Sequence, residues 1–189
     1  MAAIGILLML VDCAGTQSIV VHTNMNYPLE DRLYMIAILP FDDNVKRRTS
    51  PVFNMNFLDD PGNYVAYYFG KGLIGLPRFR IVERSSLQSI FQEQSLYLGE
   101  LVAQQDYKKI GKLANADFLL VGQVNDLWWG HDAYTHKAYV ECTFRIISVE
   151  TGETLASSDF IVRDYSSDPG RILSRAVNDI AKQIRQKLR

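Results

Sequence analysis

The fold turns on two stretches, Phe118-Leu119-Leu120-Val121-Gly122-Gln123-Val124 and, separated from it by thirteen residues, Ala138-Tyr139-Val140-Glu141-Cys142-Thr143-Phe144-Arg145-Ile146. The first is a short apolar run. The second alternates, with Ala138, Val140, Cys142, Phe144 and Ile146 on one side and Tyr139, Glu141, Thr143 and Arg145 on the other. Successive side chains of an extended chain point to opposite faces, so residues 137–149 predict a strand with one buried and one wetted face. Between the two, Trp128-Trp129-Gly130-His131-Asp132 has a polar, glycine-containing tip that predicts the turn of a long hairpin. Thr151-Gly152 reverses the chain again into Thr154 to Val162. The C-terminal half therefore reads as an antiparallel β-meander.

Working outward, Leu33-Tyr34-Met35-Ile36-Ala37-Ile38-Leu39 is a continuous apolar run ending at Pro40, the pattern of a central strand buried on both faces. Asp42 to Asp60 is polar and aperiodic and reads as one long loop. Loops of that length are usually functional or mobile. Tyr64, Tyr67, Tyr68, Lys71 and Ile74 recur at helical spacing between Pro61-Gly62 and Gly75. Arg78 to Glu83 alternates as a strand, and Ser85 stands before Leu87, Ile90 and Phe91 as the N-cap of a short second helix. Asp106 to Ala114 gives a third helix. A fourth opens at Asp168-Pro169-Gly170 and carries the apolar stripe Ile172, Leu173, Ala176, Ile180, Ile184 and Leu188. This order predicts an α/β (α+β) domain: a mixed sheet with a β-meander in its C-terminal half, covered by about four helices.

Composition narrows the function. Apolar residues make up 48% of 189, enough for one core, and the formal net charge of −1 offers no broad positive field for nucleic acid. The basic runs at Lys46-Arg47-Arg48 and along Arg171 to Arg189 read as solvated faces. His131, Asp132 and His136 supply neither a fourth ligand nor a zinc spacing, so no metal site is expected. The pairs Asp42-Asp43 and Asp59-Asp60 are neighbours on an extended chain and point apart, which suits turns better than acid-base chemistry. No phosphate loop follows a strand and no nucleophile elbow is present, so no cofactor and no catalytic residue is expected. Trp128-Trp129 is the more informative aromatic pair. Consecutive strand residues face opposite ways, so at least one should reach the surface and meet protein or lipid headgroups.

The two cysteines differ in setting. Cys142 falls on the inward face of its strand and reads as a small core residue. Cys13 follows Ile4-Gly5-Ile6-Leu7-Leu8-Met9-Leu10-Val11, too short to span a bilayer and of the length of a signal-peptide apolar region. Leu10-Val11-Asp12-Cys13-Ala14-Gly15 resembles a bacterial lipobox, which makes Cys13 the candidate for lipidation. Asp12 stands where such motifs carry a small residue, and no Lys or Arg precedes the apolar run. A plain secretory signal or a buried N-terminal segment are the alternatives. The expected organisation is an export segment over 1–13, a polar tether over 14–31 and one domain over 32–189.

Four stretches together resemble the CsgG family in order along residues 33 to 188. They are Ile36-Ala37-Ile38-Leu39-Pro40-Phe41, Arg78 to Gln94 with its Val82-Glu83-Arg84, Lys109 to Val124 with Ala116-Asp117, and Arg145 to Leu155. The resemblance implies a domain of the bacterial envelope that works by assembly and protein contact, not by catalysis. It implies protein partners in the envelope, a homo-oligomer, no nucleic acid, and contact with the membrane only through a lipid anchor. The expected place is the periplasmic side of the envelope, at the outer membrane where the anchor is present. The namesake of the family is a secretion channel whose long hairpins cross the membrane. Here only thirteen residues separate Val124 from Ala138, and seven separate Phe160 from Asp168, so such hairpins are missing. In the alignment the loop 42–60 falls at the channel's constriction. Phe53, Asn54 and Phe57, with Trp128 and Trp129, are thus the candidate partner contacts. The alternative implied by the same resemblance is a regulator of a peptidoglycan synthase of the LpoB type.

Overall fold

The computed structural model describes residues 17–20, 22–23, 29–82, 87, 89, 106–165 and 168–187. The meander is its spine. Strand β7 (Phe118–His131) pairs antiparallel with β8 (His136–Ser148), from Phe118 opposite Ser148 to His131 opposite His136, and β8 pairs antiparallel with β9 (Thr154–Asp164). The first strand is longer than its apolar run suggested. The ladder shifts register between Val124 and Asp126, so Val124 and Leu127, three residues apart, both enter the core. That bulge breaks the two-residue period and hides the strand's second half. Trp128 and Trp129 therefore lie within the strand, and the turn is formed by residues 132–135.

Strand β3 (Tyr34–Ile38) lies inside the same sheet, parallel to β7 on one side and to β6 (Phe79–Ile81) on the other. Its expected burial on both faces is observed. Tyr34, Ile36 and Ile38 join a large cluster, while Ala37 and Leu39 join a second cluster on the opposite face. Asp117 sets the two parallel strands level: its carboxylate accepts from the Met35 backbone N–H (2.7 Å) and from Arg32 (2.9 Å).

Helices α1 (Pro61–Gly72) and α3 (Pro169–Lys187) cover one face, and the large core fills the space between them and the sheet, around Phe69, Phe144 and Phe160. Asp60 caps α1 by accepting from the Asn63 N–H (2.9 Å). On the other face α2 (Tyr107–Leu113), capped by Asp106, presses Ile110 onto Leu119, Val121 and Ile147. The expected count of about four helices is not matched, since three are described. The helix expected from Ser85 lies, except for Leu87 and Ser89, outside the described residues.

Two stretches expected to be irregular contribute strands. Within 42–60, β4 (Asp42–Asp43) pairs parallel with Gln123–Val124, and β5 (Asn54–Asn56) pairs antiparallel with residues 129–131. Within 14–31, β1 (Gln17–Ile19) and β2 (His22–Thr23) pair antiparallel with β9. All four are two or three residues long, shorter than any window in which periodicity shows. The result, among the described residues, is one open mixed sheet of nine strands along the path β1-β9-β8-β7-β3-β6, with β2 on β9 and β4 and β5 on β7.

Candidate interaction surface

The far half of the meander, from the bulge to the 132–135 turn, brings most of the predicted contact residues together. Gly130 makes this possible, because a Cβ there would collide with the Asn54 carbonyl and the Phe53 ring. Its absence lets β5 close on β7, with Asn54 opposite His131 and Asn56 opposite Trp129. Phe53 then meets Trp128 edge-on at 5.5 Å between ring centroids. Leu127, Val140 and Val162 enter the large core, so Trp128, Tyr139 and Arg163 face the other way across adjacent strands. Trp128 stacks on its cross-strand partner Tyr139 at 5.7 Å and 15° between planes. Lys137 lies 5.5 Å above the Phe53 ring and Arg163 lies 5.3 Å from the Tyr139 ring. The row is a half-buried aromatic band with cations on it, an arrangement worth roughly 0.5–1 kcal/mol per contact at exposed sites.

The five predicted residues divide. Phe53, Asn54 and Trp128 sit on this surface. Phe57 and Trp129 turn inward and pack against the large core. Cys13 lies outside the described residues, and Cys142 is a buried free thiol whose acidity is pushed well down by burial, its pKa rising. Lys137, Tyr139, Arg163, Arg48 and Asp126 escaped the sequence reading. Their signal is cross-strand, visible only once the register after the bulge is known.

Polar groups fix the frame of this surface. Arg48 reaches from the loop to Asp126 at 2.8 Å, and that carboxylate is only 13% exposed. The Tyr139 hydroxyl donates to Glu141 at 2.8 Å, and burial, reinforced by that bond, pushes its pKa up to about 12. Asp132 closes the turn, accepting from the Tyr134 N–H (2.8 Å), the Thr135 N–H (2.7 Å) and the Thr135 hydroxyl (3.1 Å). Those backbone donors hold its carboxyl below the usual carboxylate range. A groove of about 530 Å³ runs beside the turn, lined by Val52, Phe53, Met55, His131, Asp132 and Ala133 among others. His131 and His136 face each other at 5.6 Å, but Asp132 is committed to the turn. Among the described residues no group of three or more His, Cys, Asp or Glu is placed to hold a metal ion. No described helix is long and apolar enough to cross a membrane.

Comparison with known proteins follows the same lines. Residues 21–127, more than half of the chain, match the family model described as the curli production assembly/transport component CsgG. No curated protein matches at the sequence level. Among solved structures, the PelC dodecamer from Paraburkholderia phytofirmans superposes with a TM-score of 0.56 at 13% identity, over 90% of this chain and 98% of that one. The lipoprotein GNA1162 from Neisseria meningitidis gives a TM-score of 0.56 at 14% identity, over 79% of this chain and 99% of that one. At such identities these likenesses establish the fold.

Proposed function

The chain belongs to the CsgG family, and on that premise we propose that it is a non-enzymatic protein of the bacterial cell envelope that assembles with copies of itself and with an export or assembly machine. The observation that carries this reading is the family match over residues 21–127. The envelope and oligomer parts draw support from solved relatives of the same fold, one a dodecamer and one a lipoprotein. Lipid attachment at Cys13 and residence on the periplasmic side complete the proposal. A crossing hairpin needs about 9 to 11 residues per strand, and the turn joining β7 to β8 offers residues 132–135 alone. Attachment to the membrane therefore suits this connection better than passage through it. The synthase-regulator reading has no observation that favours it over this one.

Expression with the native N-terminus, followed by fractionation and native mass measurement, tests the proposal. The expected product is processed, found in the envelope fraction, and of a mass that is a multiple of the protomer. A cytoplasmic, unprocessed monomer would overturn it.

A further inference from the structure

The last rung of the β7–β8 ladder is a pair of histidines. His131 ends β7, His136 opens β8, and the two stand directly opposite each other across the 132–135 turn. Directly opposed residues of an antiparallel pair send their side chains to the same face, with Cβ atoms about 4.5–5.5 Å apart. The two ring centroids are 5.6 Å apart and the rings are inclined at 40°. Both residues are exposed, and neither ring takes part in a hydrogen bond or ion pair among the described residues. Two imidazoles thus converge with their nitrogens uncommitted.

That spacing suits a shared metal ion. An ion bound at about 2.0–2.1 Å by one nitrogen of each ring, at about the tetrahedral angle, puts the ring centroids about 5.2 Å apart. The observed separation exceeds this by a few tenths of an ångström, within reach of small rotations of two exposed side chains. The surroundings leave the pair open to a cation. Lys137 lies over the Phe53 ring, and Arg48 is held by Asp126 at 2.8 Å. Asn54 stands opposite His131 on its other side, so Asn54, His131 and His136 form one row across three strands. Asp132 uses its carboxylate to close the turn and stands outside the ligand set. Imidazole nitrogen selects zinc, nickel or copper(II) over magnesium and calcium, which take oxygen. With water in the remaining positions, such a chelate binds more weakly than a closed structural zinc site.

We propose that His131 and His136 form a two-imidazole chelate for a divalent ion of the zinc, nickel and copper(II) class, one ion per protomer. The ion clamps the two strands where the turn leaves the ladder. Sequence spacing hides this site, because residues five apart meet here only through the register of the hairpin. The proposal does not rest on the family reading above.

Calorimetric titration of the tag-free full chain with zinc chloride tests it. The sequence holds three histidines, so His22→Gln serves as the control. One ion per protomer is expected. His131→Gln or His136→Gln alone should lower the affinity roughly tenfold or more, because the second arm of a chelate acts at high effective concentration. The double variant should fall little further, and His22→Gln should bind as the wild type does. Zinc should also raise the thermal midpoint of the wild type and leave that of the double variant unmoved. Circular dichroism checks that the variants keep the fold. In the wild type itself, the ring-proton resonances of His131 and His136 should shift together on adding zinc while those of His22 stay. The absence of saturable binding, full affinity in either single variant, or loss of binding in His22→Gln overturns the proposal. Half an ion per protomer also overturns it, since the ion would then lie between two copies.

Discussion

Tyr139 shows how one residue can carry two functions at once. Its ring is the floor on which Trp128 stacks and over which Arg163 lies, and its hydroxyl donates to Glu141. Burial first, and that bond second, raise its pKa to about 12, against about 10 for a free tyrosine. A raised value in the folded state means that the proton is held more tightly there than in the unfolded chain. The resulting stabilisation is complete below pH about 10 and is lost as the pH rises through about 12. A difference titration at the tyrosinate absorbance, wild type minus Tyr139→Phe, should therefore show one group ionising near pH 12. A difference centred near pH 10 would show that the hydroxyl is not held as described.

At the scale of elements, a close contact between the covering helices offers a clear test of packing. Gly72 ends α1 against Val177 of α3, and a Cβ at position 72 would stand 2.5 Å from a Val177 methyl carbon. Gly72→Ala should cost about 1–3 kcal/mol. Adding Val177→Ala should restore much of that, so denaturant unfolding of the four variants should give a clear coupling term, and additive losses would place the helices elsewhere. The elements themselves were unequally legible. Residues 137–149 and the stripe from Ile172 to Ile184 declare their structure because one face of each is buried over many periods. The second half of β7 did not, because the bulge after Val124 shifts the period by one. Strands β1, β2, β4 and β5 have no period to read, and long partners supply their order. The same limit divided the predicted surface: the sequence could place Trp128 and Trp129 on opposite faces but could not tell which face was the core, and Phe57 reads like Phe53 until the fold turns it inward.

For the whole molecule, the sheet is bound unequally along its path. The β7–β8 ladder pairs residues 118–131 with 136–148, is flanked on both edges and has cores on both faces, whereas β1 and β2 hold β9 through five residue pairs in total. Hydrogen exchange should follow that gradient, with amides of 17–23 exchanging first and those of the β7–β8 ladder last. Mass-spectrometric exchange that found both segments equally protected would contradict it. The same pairing has a consequence for biogenesis. Gln17 leaves the ribosome some 145 residues before its partner Val162. That contact joins residues far apart in the sequence, and such long closures slow folding. Strands β1 and β2 are thus made well before the strand they pair with, held in waiting until β9 has been delivered.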